Sequence, residues 1–378
     1  MANGLNSFYT GRGGQDTSIR DRLPTVNPEA LRDPKHYRAS PELAAAVDVA
    51  LTLGMPLLLT GEPGSGKSGL ADSLAWEIGL GKVLKFPVKS DTESRDLFYR
   101  FDTVGRFHAA QTKPGDDTAL DPKKFITFAA LGKAILLAKD RAKLIALGLQ
   151  DHVAADAQGQ CRSVVLIDEI DKAPRDVPND MLVEIEHMQF NIPELADDSR
   201  SMVQVDLIGD ENRYRPIVIF TSNSEKALPD PFLRRCVYHH LGFPPFKADA
   251  QNENVVTVES IVQARLGDRY SPDGRIASHV ASALRFVRYL REERHRLERL
   301  PTLAEILDWL NYLMPQRTQT SEWTILAALD AGATDSASQK KLADSIKHLL
   351  LKTAPDQIKA GDLLKQWREQ PRAESKAG

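Results

Sequence analysis

The stretch "LLLTGEPGSGKSGLADSLA", Leu57 to Ala75, decides the fold. Leu57 to Thr60 are apolar or β-favouring and read as a buried strand, Gly61 to Gly66 as a glycine-rich loop, and Lys67 as the first turn of a helix. The spacing is GxxxxGK[ST], filled by Gly61, Gly66, Lys67 and Ser68, in the strand, loop and helix setting that phosphate binding requires. Such a loop, here Gly61, Glu62, Pro63, Gly64, Ser65 and Gly66 with Gly69 just beyond, points successive backbone N–H groups at one spot. The positive end of the helix dipole adds to them, the Lys67 ammonium reaches the terminal phosphates, and the Ser68 hydroxyl can ligate a magnesium ion. A phosphate cradle alone does not imply hydrolysis, so the rest of the chain must decide.

A chain of 378 residues has ample length for one large or several ordinary domains, and 42% hydrophobic with 27% charged residues describes a soluble globular protein. The net charge of -3 gives no global electrostatic reason to expect nucleic acid or an anionic membrane as partner. Cys161 and Cys236 are the only cysteines, too few for a disulfide framework or a cysteine-rich zinc site, which fits a reducing compartment. The N-terminus lacks a cationic start followed by an apolar core, and the most apolar stretches, such as "FAALGKAILLA", are broken well short of a membrane span. The expected location is the cytoplasm.

Residues 1–35 are polar and read as a loose arm. "SPELAAAVDVALTLG" follows as a helix with Ser40 at its N-cap and Pro41 at its first position. Short apolar runs at 83–88, 163–168, 216–223 and 236–243 alternate with helical segments, the pattern of an open, mostly parallel sheet with helices on both faces. After "FPPF" at 243–246 the strand signals stop, and "VESIVQARL", "SHVASALRFVRYLREE", "TLAEILDWLNYLM" and "KKLADSIKHLLLK" read as a helical domain over 247–378 with a frayed tail.

In "SVVLIDEIDKAP" a buried apolar run ends in Asp168 and Glu169, at the end of a strand where ligands of open α/β sheets sit. One carboxylate can hold magnesium while the next orients or activates the attacking water. In "PIVIFTSNSEKALPDPFLRRC" another strand ends in Asn223, whose amide lies beside the acids if the two strands are neighbours. Arg234 and Arg235 lie further on, between a helical turn and the next strand.

Together "LLLTGEPGSGKS", "VVLIDEIDKAPRDVPNDMLVEIE", "FNIPEL" and "VIFTSNSEKALPDPFLRRC" resemble the MoxR family of AAA+ ATPases over roughly residues 36–315. The resemblance implies an AAA+ P-loop NTPase fold over 36–246, a mostly parallel, doubly wound α/β sheet, followed by an all-α lid. It implies ATP and Mg2+ as cofactors, with Lys67 and Ser68 in Walker A, Asp168 and Glu169 in Walker B, and Asn223 as sensor 1. Arg235 corresponds to the arginine finger, with Arg234 able to substitute. Such families work as homo-oligomeric rings, usually hexamers, in which the finger reaches the neighbour's γ-phosphate. The partner implied is a client or adaptor protein carrying a von Willebrand factor A domain. The resemblance also places a helix-2 insert with a hairpin at 89–111, with Asp96 and Leu97 as a recurrent acidic-leucine pair, and a pre-sensor hairpin at 187–213. Phe98, Tyr99, Phe101 and Phe107 in the first insert read foremost as core and secondarily as a grip on a client. Where relatives carry a sensor 2 arginine this chain has Ala304, so no sensor 2 residue is assigned.

The run "RFVRYLREERHRLERL" holds six Arg between 285 and 299, but interleaved Glu292, Glu293 and Glu298 and the stripe Leu284, Val287, Leu290 and Leu297 mark a solvated or subunit-facing helix rather than a nucleic-acid site. His239 and His240 adjoin on opposite strand faces and cannot readily share a metal ion. The function expected is a chaperone-like ATPase. Its rivals are a nucleic-acid motor or restriction-type GTPase of a related ring family, and a nucleotide-gated scaffold. Glu169 argues against the scaffold, since a gate needs no water-activating acid.

Overall fold

The structure, a computed structural model, describes residues 17–23, 32–112, 120–153, 159–196, 202–223, 227–248, 255–267, 275–292, 295–313, 329 and 336–369. Most of the polar arm, residues 224–226 and the end of the tail lie outside them. The chain divides into two compact units, residues 39–242 and residues 1–38 with 243–378. The divisions between these units fall at 38/39 and 242/243. Residues 33–37 belong with the helical unit because Arg265 donates to the Asp33 carbonyl (3.0 Å) and its guanidinium lies over the Tyr37 ring (5.8 Å).

The α/β unit opens with α1 (Pro41–Leu53), β1 (Leu57–Gly61), α2 (Lys67–Glu77) and β2 (Leu84–Pro87). The Ser40 hydroxyl accepts from the Leu43 N–H (3.2 Å), Pro41 follows it, and Gly54 at φ 64° closes α1 in the left-handed conformation that glycine adopts without strain. Then come β3 (Tyr99–Phe101), β4 (Ile126–Phe128), β5 (Val164–Asp168), β6 (Phe190–Ile192), β7 (Val203–Val205), β8 (Ile217–Ser222) and β9 (Val237–Leu241). Five strands make one sheet in the order β2-β5-β8-β1-β9, every pair parallel. β1 is buried along its whole length and β5 to its last residue but one, which is why both read as unbroken apolar runs rather than alternating ones.

The register positions the chemistry. Thr60 pairs with Ser222 on β8 and with His240 on β9, while Pro87 pairs with Asp168. The C-terminal ends of β1, β5 and β8 therefore stand in one row, and the glycine loop, the two acids and Asn223 leave the sheet side by side. Gly61 has φ 141°, and a Cβ there would collide with the Leu241 carbonyl oxygen, so the loop's first glycine is also a packing requirement between β1 and β9.

The two expected insertions meet in the core. β3 finds its antiparallel partner outside 89–111, at β4, across a helix over Thr103–Thr112, while β6 pairs with β7. Leu97 is fully buried and Asp96 accepts from the Glu93 N–H (3.1 Å), so the acidic-leucine pair caps a turn and anchors it. Phe98 stacks on Phe190 at 5.1 Å, and the Tyr99 hydroxyl donates to Glu194 (2.7 Å). These two aromatics are core, Phe101 is half-buried against it, and Phe107 is exposed.

In the helical unit, helices over Val258–Leu266, Arg275–Leu290, Leu303–Leu313, Ser336–Ser345 and Ala354–Glu369 bury Val262, Phe286, Ile306, Trp309 and Leu363 against one another. The arginine-dense run is not one helix. It ends at Leu290, with Leu284, Val287 and Leu290 buried, and residues 295–300 return as a loop pinned by Asp356. Arg299 pairs with Glu305 (3.2 Å), and Ala304 is exposed.

Asp356 is fully buried and accepts from the N–H groups of Glu298 (3.1 Å) and Arg299 (3.2 Å). Burial pushes its carboxyl up, but those N–H groups, the Thr353 hydroxyl and the Lys359 ammonium outweigh it and hold it below the ordinary aspartate value. A depressed folded value stabilises above the unfolded value and loses that contribution as pH falls through the folded one. Stability should therefore drop on acidification below about pH 4. Asp356→Asn should cost about 1 to 3 kcal/mol at neutral pH and flatten the acid-side drop, as read by urea unfolding across that range.

Candidate active site

Lys67 is the first residue of α2 and follows Gly66, whose φ of 97° lets the loop turn into the helix. Its side chain is buried, and its ammonium donates to the carbonyls of Gly61 (2.7 Å) and Glu62 (2.9 Å), so the lysine lies across its own loop. Burial pulls the ammonium below its ordinary value, opposed by the carboxylates of Asp168, Asp171, Glu169 and Glu62. Glu62, Pro63 and Gly64 are exposed, whereas Ser65, Gly66, Ser68 and Gly69 are half-buried.

The Ser68 hydroxyl donates to Asp168 Oδ1 at 2.8 Å, bridging α2 to the end of β5. The same Oδ1 accepts from the Thr221 hydroxyl (2.5 Å), and Thr221 Oγ1 in turn accepts from the Glu169 N–H (2.9 Å). One wholly buried threonine on β8 thus fixes both acids. Glu169 has φ 61° and ψ 51°, a left-handed conformation costing a non-glycine residue roughly 1 to 2 kcal/mol. Three bonds hold it there: the one to Thr221, one from Asn223 Nδ2 to Oε1 (3.1 Å) and one from Lys172 Nζ to Oε2 (2.5 Å). Asn223 is steadied by its own N–H, which donates to the buried Asp171 (3.2 Å).

The fold therefore brings together Lys67, Ser68, Asp168, Glu169 and Asn223. Arg234 and Arg235 stand apart from them, exposed after the short helix Asp230–Leu233 and before the edge strand β9. Arg235 Nε pairs with Glu186 (3.3 Å) and its Nη1 donates to the Pro231 carbonyl (3.4 Å). Sequence reasoning missed Thr221, Asp171 and Lys172. The period of two along β8 places Thr221 on the same strand face as Asn223, a signal that was available. The pairing of Lys172 with Glu169 across a tight turn and that of Asp171 with the Asn223 N–H, 52 residues on, had none.

A bound nucleotide and a divalent cation fit these residues. Ser65 Oγ is buried and finds no partner among the described residues, as expected of a hydroxyl facing a phosphate. Ser68 and Asp168 bring two hard oxygen donors together, which suits a magnesium ion that keeps several waters and takes phosphate oxygens.

Residues 56–236 match the family model described as the AAA domain, dynein-related subfamily. A parallel sheet flanked by helices, a glycine loop at the end of β1 and paired acids at the end of β5 agree with that match. The fold so defined over these residues is that of an AAA+ nucleotide-binding α/β module, followed in this chain by a helical region. No curated protein matches the chain. No helix among the described residues is long and apolar enough to cross a membrane.

Proposed function

We propose that the chain is a MoxR-type AAA+ ATPase that hydrolyses ATP to ADP and phosphate with Mg2+, assembles as a homo-oligomeric ring, in the simplest form a hexamer, and remodels or activates a partner protein. The observation that carries this reading is the convergence of Lys67, Ser68, Asp168, Glu169 and Asn223 at three adjacent strand ends. In it Lys67 polarises the β and γ phosphates, Ser68 and Asp168 hold the magnesium ion, Glu169 orients the attacking water, and Asn223 holds water or the γ-phosphate. The ion supplies charge neutralisation along the phosphates when bound. The motif likeness to MoxR proteins supports the ring, the client, and a client carrying a von Willebrand factor A domain.

Lys67→Ala tests the nucleotide site. Truncation removes a charge-assisted contact to phosphate, and ATP affinity should fall about ten- to a hundredfold. Because Lys67 is buried, circular dichroism of the variant must match the parent. A folded Lys67→Ala chain that binds Mg-ATP as tightly as the parent in calorimetry would overturn the nucleotide reading. For the client, a pull-down with a variant that binds ATP but does not hydrolyse it should retain a partner that the parent releases. Retention equal with and without ATP would count against remodelling.

A further inference from the structure

The Glu169 carboxylate is held at both of its oxygens. Its Oε1 accepts from the Asn223 amide at 3.1 Å, and its Oε2 from the Lys172 ammonium at 2.5 Å. Lys172 reaches it from the short helical turn Ile170–Lys172, three residues on, with 43% of its side chain exposed against 36% for Glu169. A carboxylate that is to orient water and take its proton must turn a lone pair to that water. A neighbouring ammonium stabilises the carboxylate charge and competes for the same lone pairs, opposing both tasks. The two donors differ in what else they can do. The Asn223 amide has an alternative partner in the water or phosphate, so its hold can pass to the reacting groups. The Lys172 ammonium has the stronger, charged hold and sits on the opposite oxygen.

We propose that Lys172 is a latch on Glu169, and that hydrolysis requires the Lys172–Glu169 bond to open. Lys172 is a positioning residue that limits turnover by keeping the acid from its water. This inference rests on the reading of Glu169 as the water-orienting acid. Because the pair is partly exposed, the latch is weak and its loss measurable rather than dramatic.

Steady-state ATP hydrolysis by the full chain, with Mg2+ saturating, tests it. Lys172→Met keeps the aliphatic stem and removes the charge, and should raise kcat about three- to fivefold, the size of effect that half-exposed ion pairs have. KM and the Kd for ATP should not move, since the latch touches no phosphate-binding group. Lys172→Gln should show the same rise, and Lys172→Arg, which restores a charged donor, should stay near the parental rate. Combined with Glu169→Gln, Lys172→Met should add nothing. A kcat at or below the parent in both uncharged variants overturns the latch, as does a rise that persists in the Glu169→Gln background. If Glu169→Gln alone leaves turnover intact, the assignment of Glu169 fails instead, so the two failures are distinguishable.

Discussion

Glu169→Gln is expected to bind Mg-ATP with parental affinity and to lose about 10² to 10⁴ in kcat. The exchange keeps the side chain's size and leaves an oxygen for the Asn223 amide, so the left-handed turn at Glu169 retains two of its three restraints. What disappears is the charge that orients water and accepts its proton. Binding should survive because the groups placed to touch phosphate and magnesium, Lys67, Ser68 and Asp168, are bonded to the loop, to each other and to Thr221, and not to the Glu169 carboxylate. Calorimetry with Mg-ATP and phosphate release in single turnover separate the two effects. Parental turnover in the variant would remove Glu169 from the chemistry, and lost affinity would mean that it serves binding instead.

The second large effect is expected at Arg235. In its own chain this side chain is exposed, its bonds run to Glu186 and to the Pro231 carbonyl, and it stands next to the edge strand β9. A guanidinium so placed, with one face held by Glu186, is available to a neighbouring copy. On that neighbour's γ-phosphate it would contribute roughly 10³ or more to the rate. Arg235→Ala should therefore bind ATP normally, turn over poorly and assemble less tightly, since nucleotide bridging two chains promotes assembly by linkage. Mixing decides whether the arginine acts in trans. Arg235→Ala and Glu169→Gln chains, each nearly inactive, are combined and allowed to exchange subunits. Wherever the first supplies the acids and the second the arginine, a complete site returns, and activity should rise above both parents with the mixing ratio. Absence of rescue despite demonstrated co-assembly would mean that Arg235 acts within its own chain or that Arg234 is the finger. Repeating the mixture with Arg234→Ala tells these apart.

The elements of the candidate site were legible in the sequence because their signals are local. A glycine-rich loop between an apolar run and a helix needs only the φ freedom of Gly61 and Gly66 and the helix start at Lys67. All five strands of the parallel sheet were visible as short apolar runs: β1, β5 and β8 because they are buried on both faces, and the edge strands β2 and β9 by their apolar ends although Lys85, His239 and His240 lie within them. Ser40 and Pro41 likewise marked the start of α1 by capping chemistry written into neighbouring residues. The arginine-dense run misled for the same reason. Its composition continues as helix former, but the chain turns at Leu290 because Asp356, far away in sequence, offers its carboxylate to the N–H groups of Glu298 and Arg299.

By itself the sequence determined which residues could do the chemistry: Lys67, Ser68, Asp168, Glu169 and Asn223 follow from spacing and from their place at strand ends. Only the tertiary structure decided how they are held. Strand order is a non-local choice, and placing β8 between β5 and β1 is what sets Thr221 against both acids and Asn223 against Glu169. The burial of Lys67 and the bond from the Asn223 backbone N–H to the Asp171 carboxylate likewise depend on how the elements pack, whereas the grip of Lys172 on Glu169 is made within one turn. For the bonds between separate strands the identities are local but the distances are not, because a hydrogen bond forms only where the packing of the sheet brings donor and acceptor within reach.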